Sequence, residues 1–381
     1  MRNFAPVLSH IRSILAALAV ALLASCSARK QEPVVTPWGE VLDSVVTSED
    51  FDLHEIQTSG ELIMATVSGP QTYYDYQGKQ LGTQFLLVQR LSEHLGVRLR
   101  VDIFRDSLEL ARQLSEGQAD IVAWPTPGQL SVAADKPLLA KELKAWYRPA
   151  MVDEARKEEN DLLTVRRVKR RIFAPMLDKA GGVISHYDHY FQTYSRTIRW
   201  DWRLMAAQCY QESTFDPKAV SFAGAKGLMQ IMPATADLLG LPRDKMYDPE
   251  QNIAAAAKYL GQLEGKFSDI PNRTERTNFV LASYNGGLHH IRDAMALARR
   301  DGRNPHRWSE VAPYVLKLAT PKYYNDPIVK YGYMRGSETV DYVAKIRQRH
   351  QGYMGVKVTA PLGYHPAQPR KAEKRKKKYD I

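Results

Sequence analysis

The chain has 381 residues, 44% of them hydrophobic and 25% charged. That is an ordinary globular balance, with material for roughly two or three domains. The two cysteines, Cys26 and Cys209, exclude zinc sites built on paired Cys motifs. A formal net charge of +11 favours polyanionic partners, but part of it lies in the tail RKAEKRKKKYDI (370–381) and says little about the folded part.

In chain order, MRNFAPVLSHIRS carries Arg2 and Arg12 and is followed by the apolar run ILAALAVALL (14–23). Such a run is too short to span a bilayer and suits the core of a signal peptide. Leu23-Ala24-Ser25-Cys26 resembles the bacterial lipobox. The resemblance implies that Cys26 carries lipid and becomes the mature N-terminus, leaving Cys209 without an intramolecular partner. By resemblance to Gram-negative lipoproteins, Ser27 in place of Asp implies the outer membrane, with the mature chain facing the periplasm. Residues 1–26 thus read as a lipoprotein signal peptide and 27–50, polar and Pro-containing, as a tether. A plain secretory signal with an incidental Cys is the alternative.

Residues 51–150 alternate strand and helix signals. ELIMATVS (61–68) reads as a strand, Phe85, Leu86, Val88, Leu91 and Leu95 fall near helical spacing, and VRLRVDIF alternates. DSLELARQLSEGQADIVAWP repeats the pattern, with a buried strand at 120–124, so a small parallel sheet is expected. GELIMATVSGPQTYYDYQGKQLGTQFLLVQRLSEHLGV and SLELARQLSEGQADIVA resemble the first lobe of periplasmic solute-binding proteins of the amino-acid type. The second lobe that such proteins insert is missing. The charged stretch DEARKEENDLLTVRRVKRR (153–171) follows instead, so 51–150 is expected to pack without enclosing a ligand, and 151–185 to be a connector.

Residues 186–355 carry apolar residues at helical spacing throughout and read as an all-α domain; 356–381 is a basic tail. Asp201 is placed to cap a helix beginning at Trp202, and Pro233 sits where a first-turn proline is tolerated. Leu204, Met205, Gln208, Cys209 and Glu212 share related faces of one helix, which puts Glu212 beside the core-facing stripe at the helix end. Partial burial and the negative end of the helix both push a carboxyl pKa upward, as a general acid at neutral pH requires. On spacing alone, a surface Glu near a helix end is the better fit. Cys209 lies in the apolar pattern and reads as a buried structural thiol.

Four motifs in order weigh against the surface reading: Glu212-Ser213 with Ser221 nine residues on, GLMQIMP (227–233), ASYNGG (282–287) and GSETVDYV (336–343). Together they resemble the soluble lytic transglycosylase (goose-lysozyme-like) superfamily. GYMRGSETVDYV with an upstream solute-binding-like lobe is similar to its membrane-bound lytic murein transglycosylase F group. The implied fold class is α+β and multidomain, a small α/β solute-binding-like lobe followed by an all-α lysozyme-like catalytic domain. By position, the resemblance makes Glu212 the sole catalytic acid/base. Ser221 and Gln230 hold the sugar and its N-acetyl group, and Met232 lies under that acetamide. Tyr284 lines the cleft near the acid, and Glu338 is a carboxylate of the glycan groove. Met229 reads as core, and Asn285 with Gly286-Gly287 as turn-shaping; Ala256 stands where relatives commonly have Gly.

A glycosidic oxygen leaves poorly until protonated, and glycosidases normally add a second carboxylate. Asp216 precedes Pro217 and reads as a turn residue instead. The resemblance implies cleavage of the N-acetylmuramic acid to N-acetylglucosamine bond of peptidoglycan, leaving 1,6-anhydro ends. The alternatives are a non-catalytic peptidoglycan-binding or sensing lipoprotein, and a hydrolytic muramidase. No cofactor or metal motif is present, and nucleic acid is not an expected partner; the expected partners are glycan strands and a membrane reached through Cys26.

Overall fold

The computed structural model describes residues 52–164 and 170–355. The signal peptide with Cys26, the tether and the basic tail from 356 lie outside the described residues.

The described chain is α+β. Its first part runs α1 (Leu53–Ser59), β1 (Glu61–Val67), β2 (Tyr74–Tyr76), β3 (Lys79–Leu81), α2 (Thr83–Leu95), β4 (Arg98–Phe104), α3 (Ser107–Ser115), β5 (Ile121–Ala123), β6 (Leu130–Val132), α4 (Pro137–Trp146) and α5 (Ala150–Thr164). The main sheet has the order β4-β1-β5-β6. β1 is parallel to β4 from Glu61 opposite Arg98 to Val67 opposite Phe104, and parallel to β5 on its other side. The sheet is not wholly parallel, since β6 returns antiparallel to β5 as an edge strand. A chain folding straight back over a short turn can only pair this way, whereas parallel neighbours need a crossover.

β2 and β3 form a separate antiparallel hairpin through the turn Gln77-Gly78. Helix α5 anchors this hairpin. Met151, Ala155 and Glu159, four residues apart, are its buried face, and charged residues between them face outward. The Glu159 carboxylate accepts from Tyr74 Oη and Thr83 Oγ1, both at 2.8 Å, while Arg90 on α2 pairs with Glu154 and Glu158 at 3.3 and 2.7 Å. The charged stretch read as connector from 151 therefore begins with a helix that packs on the lobe. A carboxylate at a core-facing position hides that stripe from a hydrophobicity count, and it is tolerated because both its oxygens are hydrogen-bonded.

The second part is helical: α6 (Asp188–Ser195), α7 (Trp202–Ser213), α8 (Pro233–Leu239), α9 (Pro249–Lys266), α10 (Arg273–Gly286), α11 (Leu288–Arg300), α12 (Trp308–Lys317), α13 (Pro321–Tyr324) and α14 (Gly336–Tyr353). Asp201 caps α7 by accepting from Arg203 N at 2.9 Å, and Pro233 opens α8 at its first turn. Asp248 and Asn272 cap α9 and α10 in the same way. The core centres on Phe191, Phe267 and Phe279, all fully buried. Phe267 and Phe279 lie 5.7 Å apart by ring centroids, and Trp308 meets Phe279 edge-on at 5.5 Å.

Between α7 and α8 the chain makes a tight, largely buried loop that one side chain pins. Asn252 on α9 is fully buried. Its Oδ1 accepts from Met229 N at 2.8 Å, and its Nδ2 donates to Lys226 O at 3.1 Å and Met246 O at 2.8 Å. The loop backbone comes so close that a Cβ at Gly227 would lie 2.3 Å from Met246 O and 2.5 Å from Asn252 Nδ2; with φ at +79°, glycine is required there.

Replacing Asn252 by Asp keeps shape and the acceptor but removes both donors, leaving two buried carbonyls facing a carboxylate. Asn252→Asp is expected to cost on the order of 3 kcal/mol at neutral pH, read as a lowered urea midpoint. An unchanged midpoint would mean that the loop does not depend on this staple.

Candidate active site

A cavity of about 550 Å³ opens between the helical domain and the β2–β3 hairpin. Its floor is the end of α7. Glu212 stands in the last turn of that helix, which stops because Thr214 and Phe215 take left-handed backbone angles, φ 53° and 64°. Non-glycine residues rarely adopt such angles, and they persist where surrounding contacts over-determine them. Here Thr214 N closes on Tyr210 O at 2.9 Å and Asp216 N on Ser213 O at 3.2 Å.

Glu212 keeps a partial opening to the cavity, but protein encloses its carboxyl densely. Tyr342 of α14 donates to Glu212 Oε1 at 2.5 Å. Burial raises the Glu212 pKa to about 7, against the opposing pull of the Tyr342 hydrogen bond and of the Arg170 guanidinium. Burial and the neighbouring Glu212 carboxylate together lift the Tyr342 phenol well above its ordinary range. The carboxyl is therefore balanced between its two protonation states near neutral pH, the condition for donating a proton and later accepting one.

The other sequence-predicted residues gather around the same cavity. Ser221, Gln230, Met232, Tyr284 and Glu338 all line it with Glu212. Gln230, at φ 48°, has Nε2 tied to Gly227 O at 2.9 Å and Ala219 O at 3.1 Å, while its buried Oε1 has no protein partner. Ser221 Oγ accepts from Ala225 N at 3.0 Å. Tyr284 donates to Met229 O at 2.8 Å and packs on Tyr259 at 5.4 Å, which fixes its ring in the wall. Met229 and Cys209 are fully buried core residues. Asp216 is a turn residue: its Oδ2 accepts from Arg171 N at 2.6 Å and its Oδ1 from Lys218 N at 2.9 Å. Gly287, at φ 85°, joins α10 to α11, and Asn285 Oδ1 accepts from Thr339 Oγ1 at 2.8 Å.

Sequence reasoning missed part of the wall. The hairpin turn of the first lobe reaches into the cavity, where Asp75, Tyr76, Gln77 and Gly78 line it. The Tyr76 phenol and Gln77 Nε2 both donate to Glu338 Oε2, the latter at 3.1 Å, and Arg335 lies over the Tyr76 ring at 5.3 Å. Gly78 meets Met232 so closely that an added Cβ would lie 2.6 Å from Met232 Cε. Nothing local in YDYQGK announces a partner some 260 residues away. At the far end His289 stacks on Tyr331 at 4.3 Å, with Tyr331 48% exposed, and burial lowers the His290 pKa to about 4. Tyr342 did have a signal, for Thr339, Tyr342, Val343 and Ile346 form a buried stripe at helical spacing within one of the four motifs.

Residues 189–306 match the model of the Transglycosylase SLT domain family. Glu212, Ser221, Gln230, Met232 and Tyr284 fall inside the matched segment, and Glu338 and Tyr342 beyond it. The relatives carry a more particular name. The membrane-bound lytic murein transglycosylase F of Maricaulis maris is 39% identical over 184 residues, covering 48% of this chain and 37% of that protein. The protein of the same name from Pseudomonas putida strain F1 is 39% identical over 162 residues, covering 42% of this chain and 33% of its own. The chain thus spans about a third of the length of the curated relatives it matches. Among solved structures, the 70 kDa soluble lytic transglycosylase of Escherichia coli is similar at 26% identity and a TM-score of 0.30, over 45% of this chain and 25% of that one.

The raised Glu212 pKa has a consequence for stability. In the unfolded chain this carboxyl ionises near its ordinary 4.5, in the folded one near 7. The folded state therefore holds the proton more tightly, and its advantage, complete below about pH 4.5, is lost as pH rises through 7. Glu212→Gln abolishes this loss. At pH 8 the variant is expected to exceed the native protein by on the order of 2 kcal/mol, discounted for the opening to solvent, with the gap closing by pH 4.5. Urea unfolding at the two pH values measures it; a gap that does not vary with pH would show Glu212 to be ordinarily ionised.

Proposed function

We propose that the helical domain, residues 186–355, is a lytic transglycosylase acting on the glycan strands of peptidoglycan, with Glu212 as its only acid/base. The observation that carries this reading is the enclosed Glu212 carboxyl at the cavity floor, with a pKa raised to about 7. The Transglycosylase SLT match over 189–306 and the names of the relatives support it.

In this reading neutral Glu212 protonates the oxygen between N-acetylmuramic acid and N-acetylglucosamine, and the bond from the anomeric carbon to that oxygen breaks. The substrate's own acetamide stabilises the electron-poor carbon. The Glu212 carboxylate then takes the proton of the muramoyl C6 hydroxyl, whose oxygen bonds to the anomeric carbon and closes a 1,6-anhydro ring. One proton leaves Glu212 and one returns, and no water is consumed. Holding both reacting groups on one sugar gives internal attack a large effective-concentration advantage. Gln230 Oε1, buried without a protein partner, suits the acetamide N–H; Ser221 and Met232 complete that subsite, and Tyr284 and Glu338 border the groove.

A hydrolase would need a second carboxylate to activate water. The other carboxylates at hand support internal attack instead. Asp216 accepts from two backbone N–H groups, and Glu338 accepts from Tyr76 and Gln77. Asp75, raised by burial, is contributed by the hairpin of the other lobe. Digestion of purified sacculi followed by mass spectrometry tests the mechanism. Expected products end in 1,6-anhydro-N-acetylmuramic acid, one water mass lighter than muramidase products and inert to borohydride. Glu212→Gln should release them at least about 10²–10⁴-fold more slowly. Predominantly reducing muramic ends would make the protein a hydrolase, and near-native release by the Gln variant would remove Glu212 from the chemistry.

We also propose that the mature chain begins at lipid-modified Cys26 and is held at the outer membrane facing the periplasm. Among the described residues no helix is long and apolar enough to cross a membrane. The native protein should fractionate with membranes and yield an acylated N-terminal peptide, and Cys26→Ser should abolish the acylation. An unmodified mature chain starting elsewhere would refute the anchor.

A further inference from the structure

The chain enters the helical domain across the end of α7, and two of its residues are stitched there. Arg170 Nη1 donates to the carbonyl of Glu212 at 2.8 Å and of Gln211 at 3.4 Å. Next to it, Arg171 N donates to Asp216 Oδ2 at 2.6 Å, and Thr214 Oγ1 donates to Arg171 O at 2.8 Å. The last carbonyls of a helix carry a partial negative charge and lack intrahelical donors. The last turn of α7 contains no basic residue of its own, so the cation comes from outside the helix. Arg170 also lines the cavity beside Glu212.

We propose that Arg170 is a positioning residue for the acid/base carboxyl: it caps the end of α7 and supplies the positive charge that lets Glu212 ionise at the cavity floor. The proposal rests on the lytic transglycosylase reading above and adds a residue to it. The groups that act on Glu212 come from four directions. Tyr342 faces it from α14, Tyr284 from α10, Cys209 from the preceding turn of α7, and Arg170 from the connector. Burial raises the two phenols and the thiol, so they stay neutral at working pH. Arg170 is half-buried, and burial lowers its own pKa, yet a guanidinium remains protonated. It is thus the formal charge in this set, and it favours the carboxylate, which must exist in the second half of the cycle to take the C6 proton. Without it, burial and the helix end would act on Glu212 against the Tyr342 hydrogen bond alone.

The sign follows directly. Removing the cation raises the Glu212 pKa, so the carboxyl keeps its proton to higher pH and, as a weaker acid, protonates the glycosidic oxygen more slowly. The pH dependence of kcat/KM on soluble uncrosslinked glycan chains reads this in Arg170→Gln, Arg170→Met and Arg170→Lys. In both neutral variants the alkaline limb is expected to move up by about one pH unit, with a maximal rate about tenfold lower. Arg170→Lys should restore the limb to within about a quarter of that shift, since charge is kept while the forked geometry is not. A merely structural capping role would depress the rate evenly across pH and leave the limb in place, and that result overturns the proposal. Should Gln not fold, the Met variant, which keeps more of the stem packing, gives the same two outcomes. ¹³C NMR titration of the Glu212 carboxyl in the native protein and the Lys and Met variants reads the shift independently of turnover; coincident titrations would overturn it equally. Inactivity of the native protein, or activity of Glu212→Gln, would instead defeat the reading beneath.

Discussion

Much of this structure follows from keeping one carboxyl enclosed at the end of a helix. A carboxylate loses hydration there and faces the negative pole of the helix, and both effects favour its protonated form. Two donors, placed by separate segments, hold that tendency in check, and a third side chain fixes the wall in front. Tyr342 from α14 bonds Oε1 directly, Arg170 from the connector caps the carbonyls behind it, and Asn252 on α9 fixes the loop that walls the cavity in front. The helix itself stops by means of two left-handed non-glycine residues. Such angles cost energy that only dense local packing sustains, and the packing is the same that buries Cys209 and Met229.

The cavity is a joint product of both parts of the described chain. The helical domain supplies the floor and most of the wall, while the first lobe sends a hairpin whose Tyr76 and Gln77 engage Glu338. That hairpin is held from behind by Glu159 on α5, through Tyr74 and Thr83. A buried carboxylate in one lobe thus fixes the strand that reaches the carboxylate of the other. Each accepts from hydroxyl or amide donors, which offsets part of the cost of taking a carboxylate out of water.

The sequence carried the local parts of this arrangement and not the long-range ones. Helical spacing placed Glu212 beside a core stripe with Cys209, and the Asp201 cap and first-turn Pro233 marked two helix starts where the structure has them. The motif residues Ser221, Gln230, Met232 and Tyr284 were legible as a group, and they line one cavity. The antiparallel β6 was not foreseen, because three residues of intermediate burial leave almost no periodic signal. Helix α5 was read as part of a connector because its buried face includes Glu159 and its exposed face is a charge run. Arg170 belongs to that same charged stretch, where no spacing rule separates one arginine from its neighbours. Tyr76 and Gln77 depend on tertiary approach, and a turn sequence specifies a hairpin without specifying what the hairpin touches.

The contact between Tyr76 and Glu338 spans almost the whole described chain. Contacts between such distant segments form only after both have been brought together, and loop-closure entropy must be overcome first. The helical domain can condense from its own neighbouring helices, and the sheet from its own crossovers, before this contact exists. A cleft whose wall depends on it cannot be complete at an early stage of folding. During folding the carboxyl of Glu212 can be enclosed from below while the hairpin side of the cavity is still open. The finished shape of the cleft is therefore among the last features the chain acquires.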